Sequence, residues 1–263
     1  MSVEVTRNGA IATVTVNIPE RLNALSADLL VELASTFNEL AEDRGVRVVI
    51  FTGAGDRAFI AGANIREMAG MSRDEALEFA RLGHALATRI ETLPQPVIAA
   101  VNGFAFGGGC ELALACDIRH CSTSAVFAQP EVQLGIPPGW GGSQRLARVI
   151  GPGYAAEMIF TGKRVDAAEA LRIGLVNQVH ESGDLIDEVE QLAVGIANAG
   201  PDAVRASKRL IGLTRGTAAQ SALAEEARSF ADQFDGEQQQ EGMAAFLEKR
   251  TPAFAHEPGE HKT

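Results

Sequence analysis

The chain has 263 residues, of which 46% are hydrophobic and 22% charged, and its mean hydropathy is +0.04. A chain of this length and composition buries a sizeable core, so we expect neither a small module nor a disordered segment. The formal net charge of −11 argues against a general binder of nucleic acid or anionic lipid, because such proteins need a basic surface.

The sequence shows no targeting or membrane signal. Its first ten residues lack a basic stretch followed by an apolar run, and no apolar run approaches the roughly 18 residues of a membrane helix. The three cysteines, Cys110, Cys116 and Cys121, are spaced unlike zinc or redox pairs, so we expect reduced, buried thiols. These features predict a cytoplasmic protein without a membrane partner.

The first three quarters of the chain alternate between strand and helix patterns. Asn8-Gly9, between two runs of alternating apolar residues, is typical of a β-hairpin turn. Apolar residues at helical spacing after Ser26, and a capping box of Ser72 and Glu75, predict two long helices. The predicted strands cover residues 3–7, 11–18, 46–52, 97–101 and 176–179. The predicted helices begin near residues 26, 64, 72, 110, 143, 154 and 167, and residues 53–63 are expected to form a loop.

Only helical patterns remain beyond residue 185. They start near residues 185, 202, 217 and 237, and glycines or Gly200-Pro201 separate them. We therefore divide the chain into an α/β core of residues 1–197 and a helical region of residues 198–263. The apolar faces of that region either cover the core or mediate self-association, and composition leaves both possibilities open.

The stretch of residues 96–142 is the strongest candidate for a functional site. It predicts a buried strand, a turn at Gly107, Gly108 and Gly109, and a short helix. Glycines let the backbone approach a ligand closely, and the first N–H groups of a helix have no partner within it. Such a turn can stabilise an oxyanion, where each well-placed donor is worth roughly 3 kcal/mol of barrier. A tight packing turn is the structural alternative.

Two carboxylates belong to the same stretch. Glu111 falls in the first helical turn, and Glu131 follows Gln129-Pro130 in a largely apolar loop. Both lie beside glycine-rich backbone and among few other charges, which favours general acid and base work. Each could instead be an ordinary cap or surface acid, and we expect Asp117 to be structural.

Other chemistries lack their motifs. Neither GxGxxG nor GxxxxGK[ST] is present, so the glycine turn is not typical of a nucleotide site. No GxSxG elbow surrounds a serine, and no His, Asp or Glu pattern indicates zinc. These absences argue against acyl-enzyme and metal-dependent hydrolysis.

Several longer motifs occur in order along nearly the whole chain. They are NIPERLNALS, FIAGANIREM, PVIAAVNGFAFGGGCELALACDIR, FAQPEVQLGIPPGWGGSQRL, TGKRVDAAEALRIGLVNQV and EGMAAFLEKRTPAF. This series resembles the enoyl-CoA hydratase/isomerase family, also called the crotonase superfamily. The resemblance implies an α/β fold, a crotonase-like spiral of β-β-α units with a C-terminal helical trimerisation region. It also implies a homotrimer or a dimer of trimers.

The resemblance further implies roles for individual residues. The backbone N–H groups of Ala63 and Gly108 would form an oxyanion hole, while Glu111 and Glu131 would add water to a trans-2-enoyl-CoA. The amide of Gly139 would help to place this machinery, and Gln129 would orient Glu111. The implied substrate contacts are Arg21, Leu22, Ala61, Ile65, Arg66, Gly139, Trp140, Phe246 and Lys249, with Met68 and Met71 also considered for the acyl pocket. Coenzyme A is then part of the substrate, and neither a further cofactor nor a metal is expected.

Two positions depart from the family pattern, and two other functions stay open. Asn64 stands where the family commonly has aspartate, and Ile18 where arginine is usual. An uncharged Asn64 still caps a helix. A double-bond isomerase or a specialised acyl-CoA hydratase is the alternative within the family. An RNA-binding relative is the alternative outside enzymes, and the acidic charge disfavours it.

Overall fold

The computed structural model describes residues 2–212, 224, 227–228 and 230–252. Within them, the strands form two sheets. The large sheet has the spatial order β1 (Val3–Asn8), β2 (Ile11–Val16), β3 (Val48–Gly53), β5 (Val97–Val101), β7 (Ile118–Ser122) and β10 (Gln178–His180). The small sheet has the order β4 (Ala58–Ile60), β6 (Phe104–Phe106), β8 (Val126–Ala128) and β9 (Val165–Asp166).

Helices follow or cover these strands. They are α1 (Ala27–Glu42), α2 (Ile65–Met68), α3 (Arg73–Thr92), α4 (Gly108–Ala115), α5 (Gly142–Thr161), α6 (Ala167–Arg172), α7 (Leu185–Ala197), α8 (Pro201–Gly212) and α9 (Glu237–Glu248). Short 3₁₀ turns occur at Pro19–Arg21, Glu131–Leu134 and Gln233–Asp235.

The predicted hairpin and the predicted starts of α1 and α3 are confirmed. Strands β1 and β2 pair antiparallel, with Asn8 opposite Ile11 and Gly9 in the left-handed region at φ 58°. The Ser26 side chain caps α1 by accepting the Leu29 amide. Ser72 and Glu75 form the complete capping box at the start of α3. Local side-chain chemistry therefore sets these boundaries.

The central strands of the large sheet are buried on both faces. From β2 to β10 its strands run parallel, and every residue of β3 and β5 is buried. One face packs against α7 through Leu185 and Val189. The opposite face belongs to the main core, with Phe37 of α1 and Phe79 of α3. This burial explains why β3 and β5 have continuous apolar sequences rather than alternating ones.

Three consecutive β-β-α units build the core. In each unit a strand of the large sheet is followed by a short strand of the small sheet and then by helical structure: β3-β4-α2, β5-β6-α4 and β7-β8 with the 3₁₀ turn and α5. Strands β4, β6 and β8 pair in parallel, so their carboxyl ends lie at one edge of the small sheet. The spiral of β-β-α units implied by the resemblance is confirmed.

Some element predictions are wrong in detail. Residues 58–60, expected in a loop, form the buried strand β4. Strands β6, β7, β8 and β9 were missed. Four of these five strands have only two or three residues, too few for an alternating pattern. Helix α4 begins at Gly108 rather than near residue 110, and β10 lies at Gln178–His180 rather than 176–179.

The C-terminal part is helical where the structure describes it. Helices α7, α8 and α9 match the predicted starts, while most of the helix expected from residue 217 lies outside the described residues. Lys208 fixes α8 to the core, because its Nζ lies 2.7 Å from the Asp117 carboxylate and donates to the carbonyl of Gln95. The division at residues 197 and 198 stays a prediction. None of the described helices is both long and apolar enough to cross a membrane.

Candidate active site

The predicted site residues meet at the carboxyl edge of the small sheet. Residues 61–64 follow β4, Gly107 and Gly108 follow β6, and Gln129, Pro130 and Glu131 follow β8. Because the three strands are parallel, these segments converge although they are separated by up to about 70 residues of sequence. They line one pocket, which includes Ala63, Gly108, Glu111 and Glu131.

Two backbone amides at this pocket are available to a ligand. Leu25 forms a parallel bridge with Ala63, in which it bonds the carbonyl of Gly62 and the amide of Asn64. The N–H of Ala63 therefore points away from Leu25. Gly108 is the first residue of α4, where an amide has no partner within the helix. Both residues line the pocket, as an oxyanion hole requires.

Ala63 owes its position to the early NIPERLNALS segment. The buried side chain of Asn23 donates to the carbonyls of Ala54, Ala58 and Phe59 and accepts the amide of Ile18. Asn23 thereby joins the NIPERLNALS segment to Ala54, where the loop before β4 begins, and to the first two residues of β4. A fully buried amide side chain with this many partners fixes one conformation.

Glu111 is a buried carboxylate held by backbone. Its side chain is one turn into α4, and the residue is 2% exposed. Oε1 accepts the amides of Trp140 at 2.8 Å and Gly142 at 2.7 Å. Such bonds to charged oxygen are short and strong, and they orient the carboxylate. The segment of residues 140–142 is therefore part of the Glu111 site.

Glu131 is held mainly from its own side of the pocket. It begins the 3₁₀ turn and is 8% exposed. With the Gln129 amide nitrogen facing it, Gln129 donates to Oε1 at 3.0 Å and Oε2 at 3.1 Å. Gln129, which we expected to orient Glu111, is thus a partner of Glu131. A Cβ on Gly107 would lie 2.8 Å from Glu131 Oε1, so this position requires glycine for space as well as for its φ of 50°.

An aromatic wall closes the inner end of the pocket. Trp140 is 2% exposed, and its ring meets Phe79 edge-on at 5.3 Å. A Cβ on Gly108 would come within 2.1 Å of this indole, and one on Gly83 within 2.2 Å. Two helices therefore approach Trp140 as closely as glycine allows. Trp140, which the resemblance implies as a substrate contact, thus forms a wall of the pocket.

Cys110, next to Glu111, is not a nucleophile. Burial raises the pKa of its thiol to about 12. Cys116 and Cys121 are also buried free thiols with raised pKa values. Thiols with such pKa values are unreactive near neutral pH.

The other predicted contacts divide into two groups. Ala61, Ile65, Gly139 and Trp140 line the pocket with the catalytic candidates. Arg21, Leu22, Arg66, Phe246 and Lys249 do not line it. Leu22 touches the site indirectly, because its carbonyl accepts the Ala61 amide. Arg21 and Arg66 are exposed, and Phe246 is 57% exposed.

Sequence reasoning missed part of the lining. Phe79 and Phe230 contribute from helical segments distant from the motifs, and Phe106 from the unpredicted β6. Phe230 packs so closely that a Cβ on Gly139 would lie 2.7 Å from its ring. No sequence signal separates these aromatic residues from ordinary core. Among the described residues, no group of three His, Cys, Asp or Glu side chains could hold a metal ion.

Comparison with known proteins decides the family. The family model for enoyl-CoA hydratase/isomerase matches residues 6–257. The chain belongs to the enoyl-CoA hydratase/isomerase family. The match covers the α/β core and the motifs on which the resemblance was based.

Relatives in the family are similar over their whole length. A short-chain-enoyl-CoA hydratase of Clostridium acetobutylicum is 48% identical, with 93% of this chain and 94% of that protein covered. A crotonyl-CoA hydratase of Syntrophomonas wolfei is 46% identical over the same shares. The crystal structure of enoyl-CoA hydratase from Bacillus anthracis has a TM-score of 0.80 at 39% identity, covering 97% of this chain and 99% of that chain. An enoyl-CoA hydratase from Mycobacterium avium subsp. paratuberculosis has a TM-score of 0.89 at 31% identity over the same shares.

Proposed function

We propose that this chain is an enoyl-CoA hydratase, which adds water across the double bond of a trans-2-enoyl-CoA to give a 3-hydroxyacyl-CoA. The observation that carries the proposal is the pocket itself. It holds two buried carboxylates, Glu111 and Glu131, beside the available amides of Ala63 and Gly108. The names of the similar hydratases support the same reaction.

The proposed mechanism begins at the thioester oxygen. The amides of Ala63 and Gly108 would donate to this oxygen, and charge would accumulate there as water attacks Cβ. Donors fixed in the backbone need no reorganisation as this charge develops, so they lower the barrier. A second consequence is that the carbonyl becomes more electron-withdrawing, which makes Cβ a better electrophile.

The two glutamates would manage the water and its proton. Glu111 would hold the water and help to deprotonate it as its oxygen bonds to Cβ. Glu131 would deliver a proton to Cα, and the proton that Glu111 takes from the water would pass through the coupled pair to replace it. The net reaction then adds OH to Cβ and H to Cα and leaves both glutamates as they began. Because the carboxylates act on one water, we treat them as a coupled pair. The chemistry requires no cofactor beyond the coenzyme A of the substrate.

The substrate would lie across the pocket with its acyl group inward. Trp140 and Phe79 line the part of the pocket that would face the acyl group, and the names of the similar short-chain and crotonyl-CoA hydratases favour a short acyl chain. The coenzyme A end would extend toward exposed Arg21 and Arg66, whose guanidinium groups suit phosphate. We propose that the amide of Gly139 helps to place this catalytic machinery.

Assembly is a further part of the proposal. We propose a homotrimer or a dimer of trimers, in which Phe246 and Lys249 reach the ligand of a neighbouring subunit. Exposed apolar side chains on α8 and α9 support association, because Ile211 is 65% and Phe246 57% exposed. The cytoplasmic location and the absence of a nucleic-acid partner stay predictions.

The test is a hydration assay with short trans-2-enoyl-CoA. Crotonyl-CoA should lose its conjugated absorbance with the wild-type protein, and longer and aromatic enoyl-CoAs should react more slowly. Absence of hydration across the whole panel would overturn the proposal. If Glu111→Ala retained hydration while isomerisation of a β,γ-enoyl-CoA depended on Glu131, the isomerase would be the better assignment. Retention on an RNA column without any acyl-CoA reaction would support the non-enzymatic alternative.

A further inference from the structure

A buried ion pair lies behind the loop that holds Glu111. Arg145, in the first turn of α5, donates from Nη2 to the Glu91 carboxylate near the end of α3 at 2.7 Å. The two side chains are 2% and 10% exposed. A buried pair of this kind is weak evidence for stability, since desolvation opposes its attraction. Its position therefore needs another explanation.

The same arginine contacts the loop directly. Nη1 of Arg145 donates to the carbonyl of Trp140 at 2.7 Å. On the other side of the loop, the amides of Trp140 and Gly142 donate to Glu111 Oε1. Residues 140–142 therefore lie between Arg145 and Glu111. The Trp140 carbonyl accepts a hydrogen bond from Arg145, and the amides of Trp140 and Gly142 donate to Glu111.

The loop needs an external restraint. Gly141, between the two donors, is in the left-handed region at φ 103°. The Gly141 carbonyl accepts the amides of Gln144 and Arg145, which joins the loop to the start of α5. Glycine nevertheless has more accessible conformations than any other residue, so the direction of the flanking amides also depends on side-chain contacts such as that of Arg145. Glu91 in turn fixes the guanidinium, because it is anchored in the 20-residue helix α3.

We infer that Arg145 and Glu91 are positioning residues, which hold residues 140–142 so that their amides aim Glu111 at the reacting water. The inference rests on the proposed function for its catalytic readout. Neither side chain lines the pocket. Arg145 acts by bonding the Trp140 carbonyl. Loss of this bond misplaces the Glu111 carboxylate without removing a substrate contact.

Two variants separate positioning from stability. Arg145→Met removes the bond to Trp140 and the ion pair with the buried Glu91 carboxylate. The double variant Glu91→Met/Arg145→Met removes both charges, and apolar replacement of a buried pair is often neutral or stabilising. We expect both proteins to lose roughly 10- to 100-fold in kcat for crotonyl-CoA with little change in KM, as for a small misplacement of a catalytic group.

The double variant gives the deciding kinetic result. It should regain thermal stability relative to Arg145→Met while kcat stays low. Recovery of kcat together with stability would overturn the inference, because the pair would then be only structural. Arg119→Met is the matched control, since Arg119 is another buried arginine that donates to backbone carbonyls, those of Leu175 and Cys116. It should lower stability and leave kcat per folded protein unchanged.

A spectroscopic test does not depend on activity. Trp140 is the only tryptophan of the chain, so its fluorescence reports on this loop alone. Acrylamide should quench the wild type and Arg119→Met weakly, and the double Met variant more strongly. Equal quenching in all three proteins would contradict the positioning role. If the wild type were inactive on every enoyl-CoA, the proposed function would be refuted. The quenching of Trp140 would still decide whether Arg145 and Glu91 position the loop.

Discussion

The two glutamates of the pocket are held by different kinds of partner. Glu111 receives the backbone amides of Trp140 and Gly142, whereas Glu131 receives the side-chain amide of Gln129. Backbone donors persist through substitution and depend on the loop that carries them. A side-chain donor can be removed by one mutation. The comparison predicts that the Glu111 side is sensitive to loop geometry and the Glu131 side to residue identity.

The largest expected effect comes from removing either carboxylate. Glu111→Gln and Glu131→Gln should each lower kcat for crotonyl-CoA hydration by roughly 10²- to 10⁴-fold, the range of general acid and base catalysis. Steady-state kinetics on folded variants checks this expectation. If a variant kept nearly wild-type kcat, the substituted glutamate would not take part in catalysis. The comparison between the two glutamates would then have no catalytic meaning.

Gln129→Leu tests the side-chain support of Glu131. A lost hydrogen bond to a charged group costs about 1.5–3 kcal/mol, so kcat should fall roughly 10- to 100-fold. Gln133→Leu is the matched control, because Gln133 belongs to the same segment but donates to the carbonyl of Thr161 outside the pocket. Similar kcat losses in both variants would show that general disruption, rather than Glu131, is responsible.

Gly142→Ala tests the backbone support of Glu111. Its Cβ would lie 2.9 Å from Glu111 Oε1 and 2.9–3.0 Å from the two terminal atoms of the Gln129 amide, so these side chains or the loop must move. Overpacking of this kind costs about 1–3 kcal/mol, and we expect a kcat roughly tenfold lower. Gly153→Ala, in the same helix with nothing within 4 Å of its Cβ, should keep wild-type kcat. An unaffected Gly142→Ala would mean that the loop amides are dispensable.

The smallest expected effect concerns the three buried thiols, of which Cys110 is next to Glu111 in the chain. Burial raises the pKa of Cys110 to about 12, so the folded protein at pH 8 should react negligibly with an aromatic disulfide reagent and keep its activity. In guanidinium chloride all three cysteines should react. Rapid labelling of Cys110 in the folded protein, with loss of activity, would contradict this prediction, because it would show that the thiol is accessible to the reagent.

Much of the site could be predicted because its parts belong to short motifs. Gly108, Glu111 and Glu131 lie within about 25 residues, and capping and glycine patterns mark their turns. Ala63 was predicted only through the family resemblance. The parallel pairing of β4 with β6 brings it to the same edge.

The remaining parts depend on contacts that sequence spacing does not encode. Arg145 and Glu91 are 54 positions apart in the sequence, and the residue type alone does not show that an arginine is buried. The bond from Gln129 to Glu131 was not predicted, because the direction of the Gln129 side chain follows from the fold of β8 and the 3₁₀ turn. Short strands such as β4 were missed since three residues cannot show a period.

The most direct test of the account is the kcat of the double variant Glu111→Gln/Glu131→Gln for crotonyl-CoA hydration. If both carboxylates act on one water, losing the second should matter little once the first is gone, since groups that work as a unit are non-additive. The account predicts a double variant within roughly threefold of the slower single variant. A loss equal to the product of the two single losses would contradict it, because the glutamates would then act independently.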